Sequence, residues 1–254
     1  MSHDNLQPET PNQPRGIYLL PNLFTTAALF SGFYAIVAAM KGYFDSAAMA
    51  VFVSMIADTL DGRVARMTNT QTAFGAEYDS LSDMVAFGLA PALVVYSWSL
   101  MYLGKIGWLV AFVYTAATAL RLARFNTQAH DEDKTYFQGL PSPAAAAVMV
   151  STVWLGSIYE ITGFVVAIPV AILTFCMAAF MVSHIRYYSF KKIDWKGRIP
   201  FFSVVIIVLL IAAVAIDPPH ILLAIFLLYA FSGPVLTLWQ LRKMKSIKRQ
   251  HKKN

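Results

Sequence analysis

The chain has 254 residues, 57% hydrophobic and only 13% charged, with a net charge of +6. A water-facing domain carries about 25% charged residues, so a soluble enzyme, a disordered chain and a fibrous protein are all excluded. Cys176 is the single cysteine, which excludes an internal disulfide framework and a cysteine-based zinc site.

The first sixteen residues, polar and proline-rich, are expected to form a disordered tail. They lack the basic start of a signal peptide, and the apolar run that follows is too long for one. A membrane helix needs about 20 mostly apolar residues. Residues 17–40, 84–104, 161–183, 199–216 and 221–241 meet that requirement directly. Residues 46–57, 106–120 and 141–159 meet it with polar ends. The expected fold is therefore an all-α integral membrane bundle of about eight transmembrane helices. Tyr187–Trp195 reads as an interfacial stretch, and Pro218-Pro219 and Gly233-Pro234 as a turn and a kink.

With eight passes, both termini fall on one side of the bilayer. That side collects eighteen of the lysines and arginines, including seven in residues 242–254, and the other side has only Lys41 and Lys105. Such an excess marks the cytoplasmic side. A cell inner membrane protein with cytoplasmic termini is expected, and the +6 charge is explained without nucleic acid.

Four carboxylates stand out against this apolar background. Asp58 and Asp61 are spaced i, i+3, and Asp79 and Asp83 i, i+4, so each pair shares one helix face. An Asp at the centre of a membrane helix costs roughly 2.5–3.5 kcal/mol on insertion scales, so four together require neutralisation. Two such faces side by side would form an all-oxygen cage suited to hard divalent cations such as Mg²⁺ or Mn²⁺. Gly62, Ala65 and Gly75 fall between the pairs and leave room for a flat base or a phosphate. An ion path is the competing reading, as a cation transporter or proton relay. Against it, the far side offers only Asp45, Glu160 and Asp217 in its loops.

In full, the pattern is Asp58-x2-Asp61-Gly62-x2-Ala65-Arg66-x8-Gly75-x3-Asp79-x3-Asp83, eight specified positions over 26 residues. It resembles the signature of the CDP-alcohol phosphotransferase family, with every fixed position present. PNLFT (21–25) is similar to the family's nucleotide-side segment. RLARFN (121–126) and YFQGLPSPAAA (136–146) are similar to segments of its phosphatidylserine-forming branch.

The resemblance implies a six-helix core, here residues 17–185, often homodimeric. Residues 186–241 would add an interfacial segment and two helices packed outside that core, followed by a basic tail over 242–254. It also implies two divalent ions held by Asp58, Asp61, Asp79 and Asp83, with Asp83 as the catalytic base. Asn22, Thr25, Gly62, Arg66, Thr72 and Gly75 would lie against CDP-diacylglycerol. The acceptor it implies is L-serine; glycerol 3-phosphate or inositol phosphate is the alternative within the family. Arg121, Arg124, Gln138 and Ser142 are the expected acceptor or phosphate contacts, and positive-inside anchoring is the plainer role open to the two arginines.

Overall fold

The computed structural model describes residues 19–68, 70–128, 136–188 and 201–251. In chain order they form α1 (Leu19–Met40), α2 (Phe44–Thr68), α3 (Ala73–Asp83), a π-helical segment (Met84–Leu89) and α4 (Ala90–Trp98). A 3-10 turn (Leu100–Leu103), α5 (Lys105–Gln128), β1 (Tyr136–Gln138), α6 (Ser142–Ile158) and α7 (Ala167–Val182) follow. β2 (Arg186–Tyr188), α8 (Phe201–Ile216) and α9 (Pro218–His251) complete the described chain. The result is the expected all-helical bundle of about eight passes, with one short ribbon added. Pro21–Met40, Ala73–Trp98, Lys105–Thr127 and Pro218–Thr237 are long and apolar enough to cross a membrane, and three shorter apolar helices accompany them. The first sixteen residues, Lys191, Lys192 and Trp195 lie outside the described residues.

α1 and α2 form a tight antiparallel hairpin. α1 ends in a left-handed glycine, Gly42 (φ 80°), whose N–H bonds Ala39 O at 3.0 Å, while Tyr43 N–H bonds Ala38 O at 2.9 Å. That pair of bonds satisfies the last carbonyls of the helix and turns the chain back. The facing surfaces are nearly all alanine (Ala28, Ala35, Ala38, Ala39, Ala47, Ala48) and buried. Without bulk, the backbones come close enough for side chains to bond across the seam. Ser31 Oγ donates to Ala50 O at 2.7 Å, and Ser54 Oγ to Ala28 O at 2.8 Å.

Several boundaries differ from expectation. The third pass begins at Ala73, not at 84, and ends at Trp98, not at 104. Its first turns (AFGAEYDSLSD) are polar, so hydropathy hides a helix that Thr72 caps by accepting from Gly75 N–H at 3.0 Å. The sixth helix starts at Ala167 because residues 161–166 are spent turning the chain after Glu160, whose φ is 52°. Pro218 and Pro219 open α9 instead of forming a separate turn, since proline suits a first helical turn. The reading of Tyr187 as interfacial is also corrected: its side chain is fully buried.

α6 is the central helix, with Ala144 to Val150 all buried. It packs against α2, α4, α7 and α9, so the C-terminal helix is in contact with the core. The β1–β2 ribbon fastens that contact. Tyr136, Phe137 and Gln138 pair antiparallel with Tyr188, Tyr187 and Arg186. From this ribbon Tyr187 reaches α9, where its hydroxyl donates to Ala230 O at 2.9 Å. A Cβ at Gly233 would stand 2.5 Å from the Tyr187 ring, so only glycine fits there. Gly233→Ala is therefore expected to destabilise the protein by about 1–3 kcal/mol, read as a lowered Tm in detergent.

Candidate metal and phosphate site

The α1–α2 seam leads to the acids. One helical turn beyond the Ala28–Ser54 bond, Thr25 Oγ1 donates to Asp61 Oδ2 at 2.8 Å. Asp61 is the buried member of the set, and Asp58, Asp79 and Asp83 are half-buried. α3 lies against α1 by a second tie, Ser82 Oγ to Thr25 O at 3.1 Å. Thr25 thus touches both acid-bearing helices, through its side chain and its backbone.

The four carboxyls pair across the two helices as opposite chain directions require. Asp61 meets Asp79 and Asp58 meets Asp83, each within hydrogen-bonding reach. Ligand oxygens of Asp58, Asp61 and Asp79 all lie within 4.8 Å of one another. Two unit negative charges 4 Å apart repel by about 4 kcal/mol at an effective dielectric of 20, so the cluster needs a counter-charge. Asp79 Oδ1 is buried and has no hydrogen-bond partner among the described residues. An all-carboxylate donor set with an open oxygen matches a hard divalent cation, and the residues fit such an ion.

The nucleotide-side residues surround the same cluster. Arg66 is exposed and folds its guanidinium over Gly62, 3.5 Å from where a Cβ would stand. A Cβ on Gly75 would meet Thr72 Oγ1 at 3.1 Å and Asn22 Oδ1 at 3.6 Å, so Asn22, Thr72 and Gly75 are gathered at the start of α3. All these residues share the bundle end that holds the acids.

On the opposite flank, α5 brings Arg121 into the electrostatic field of Asp83. Arg121 Nη1 donates to Ser142 Oγ at 2.8 Å, at the start of α6. Its Nε is buried without a partner among the described residues, which leaves a charged donor for an anion. The other two expected acceptor contacts are placed differently. Arg124 Nη1 donates to Val182 O at 3.2 Å, closing the end of α7, and Gln138 is exposed on β1.

Sequence reasoning passed over other polar residues of this end. Asn126 Nδ2 donates to Ser80 Oγ at 3.0 Å, one residue beyond Asp79. The Tyr78 hydroxyl lies 2.9 Å from Thr26 Oγ1. Tyr229 of α9 lies within electrostatic range of Arg121. Only Asn126 carried a signal, as the last residue of RLARFN.

A bundle of helices apolar enough to cross a membrane, with facing carboxylates beside small residues and arginines, has the donors to hold a divalent cation and a phosphate. The profile of the CDP-alcohol phosphatidyltransferase family matches residues 18–175, more than half of the chain. The chain belongs to that family, whose members use divalent metals. It is 38% identical to a CDP-diacylglycerol–serine O-phosphatidyltransferase of Helicobacter pylori over 222 residues, covering 84% of this chain and 90% of the relative. An enzyme of the same name from Methanocaldococcus jannaschii is 36% identical over 183 residues (72% and 80%). An archaetidylserine synthase of Methanothermobacter thermautotrophicus is 32% identical over 180 residues (70% and 72%).

Proposed function

We propose that this protein is a CDP-diacylglycerol–serine O-phosphatidyltransferase. It would transfer the phosphatidyl group of CDP-diacylglycerol to the hydroxyl of L-serine, giving phosphatidylserine and CMP. The observation that carries the reading is the facing of Asp58, Asp61, Asp79 and Asp83 in a chain so similar to enzymes of that name.

Asp58, Asp61, Asp79 and Asp83 are the residues that would hold two divalent ions, Mg²⁺ or Mn²⁺. Bound there, such ions would neutralise charge on the pyrophosphate and align attacking and leaving oxygens. The chain's own groups do the rest. Asp83 takes the proton of the serine hydroxyl as that oxygen attacks the lipid-linked phosphorus. The new P–O bond forms while the bond to CMP breaks, and CMP departs with the electron pair. A hydroxyl is a poor nucleophile until a base at hydrogen-bonding distance removes its proton. Asn22, Thr25, Gly62, Arg66, Thr72 and Gly75 seat the CDP moiety. Arg121, held by Ser142, offers its free Nε to the serine carboxylate or the lipid phosphate. Arg124 and Gln138 belong to the proposal as acceptor contacts on family resemblance alone.

The eighteen-to-two distribution of lysine and arginine supports a cell inner membrane location with termini and acids facing the cytoplasm. Serine then enters from water while the diacyl tails stay in lipid. A homodimer belongs to the proposal on family resemblance.

Competition tests the acceptor. Purified protein receives CDP-diacylglycerol, divalent metal and equal serine and glycerol 3-phosphate, and the lipid products are resolved. Phosphatidylserine is expected to dominate. Mostly phosphatidylglycerophosphate would refute the serine assignment and leave the metal site standing.

A further inference from the structure

The helix that carries Asp79 and Asp83 changes its winding directly after Asp83. Met84–Leu89 is a π segment inserted between α3 and α4, and Asp83 is the residue at its N-terminal boundary. A π turn carries one residue more than an α turn, so it rotates what precedes it by about 100° relative to an unbroken α-helix. The direction in which Asp83 and Asp79 leave the helix, toward Asp58 and Asp61, therefore depends on that segment keeping its winding.

Neighbours on two sides hold it. On the α1 side, a Cβ at Gly32 would stand 2.7 Å from Ala86 Cα, so the two backbones are in direct contact. On the α5 side, Tyr114, Thr118 and Arg121 are spaced i, i+4, i+7 and share one face. Tyr114 is fully buried, and its hydroxyl donates to Phe87 O at 3.1 Å, in the middle of the π segment. Thr118 packs on Gly88, 3.1 Å from where a Cβ there would stand. Arg121 completes the stripe opposite Asp83. The single α5 face thus registers the π carbonyl, the π glycine and the acid in sequence.

We propose that Tyr114 is a positioning residue for the metal-binding acids: its hydroxyl, bonded to Phe87 O, fixes the π segment and so the aim of Asp83 and Asp79. The inference rests on the metal-site reading above. In an unbroken α-helix Phe87 O would face Pro91, which has no N–H, so α winding cannot replace the donor that Tyr114 supplies. Removing the hydroxyl takes that bond away and loosens the segment.

The test compares two variants that each lose one buried hydroxyl-to-carbonyl bond. Tyr114→Phe loses the bond at the π segment. Ser99→Ala loses the bond from Ser99 Oγ to Gly163 O (2.7 Å), beyond the far end of α4. Mn²⁺ binding to purified, substrate-free protein is followed by electron paramagnetic resonance, alongside Tm, kcat and KM. Tyr114→Phe is expected to weaken Mn²⁺ binding about tenfold or more and to lower kcat, with KM for CDP-diacylglycerol little changed. Ser99→Ala is expected to lose comparable Tm and keep its Mn²⁺ affinity. Should Tyr114→Phe fail to fold, Gly88→Ala presses Thr118 and Met84 Sδ, at 3.1 and 3.2 Å, without deleting a hydrogen bond. It is expected to weaken Mn²⁺ binding in the same sense. Unchanged Mn²⁺ affinity in the π-segment variant, or equal loss in Ser99→Ala, overturns the inference while the parent's own Mn²⁺ binding upholds the site. A parent that binds no Mn²⁺ overturns both.

Discussion

Asp83→Asn is expected to cut turnover by about 10²–10⁴-fold, the usual scale for loss of a general base, while CDP-diacylglycerol still binds. Asparagine keeps the shape of the side chain and cannot accept the serine proton. The geometry separates Asp83 from its neighbours in a useful way. Asp58, Asp61 and Asp79 form the tight triad, whereas Asp83 faces Asp58 on one side and the field of Arg121 on the other. Losing its charge should therefore spare much of the ion binding and remove the chemical step. Binding is read with radiolabelled CDP-diacylglycerol and turnover as CMP release. Turnover within a few-fold of the parent would move the base to another residue.

Excess chelator is expected to abolish activity, with recovery on adding Mg²⁺ or Mn²⁺, and Asp58→Asn and Asp79→Asn are each expected to be inactive at any metal concentration. Asp79 has the most to lose, because its buried Oδ1 has no hydrogen bond among the described residues. Asp61 is partly supported by Thr25 at 2.8 Å, so Asp61→Asn should keep more of its ion binding than Asp79→Asn. CMP release at the parental rate in excess chelator would sink the metal-assisted account.

The four acids were legible because their spacing carries the information: i, i+3 on one helix and i, i+4 on the next survive any uncertainty in helix ends. Gly62, Gly75 and Thr72 entered as nucleotide contacts through the family resemblance of the same run. What the sequence hid was set by contacts distant in the chain. The polar start of α3 depends on the Thr72 cap and on Ser82 reaching Thr25, neither of which raises hydropathy. The π segment has an ordinary apolar sequence (MVAFGL), and the residues that touch it, Tyr114 and Gly32, come from other helices. Tyr187 reads as a surface aromatic beside lysines until Gly233, on the last helix, opens a slot for its ring. Arg121 and Arg124 look equivalent in RLARFN. Only the fold separates the arginine whose Nε is left free from the one that closes α7 through Val182 O.

Stoichiometry tests the transfer of a phosphatidyl group to serine most directly. Purified protein is reconstituted with CDP-diacylglycerol and Mg²⁺ or Mn²⁺, and labelled L-serine is added or withheld. CMP and phosphatidylserine are expected to appear in equal amounts, and CMP release is expected to fall to background without serine. CMP release that is indifferent to serine, or no CMP release with any alcohol, would contradict it.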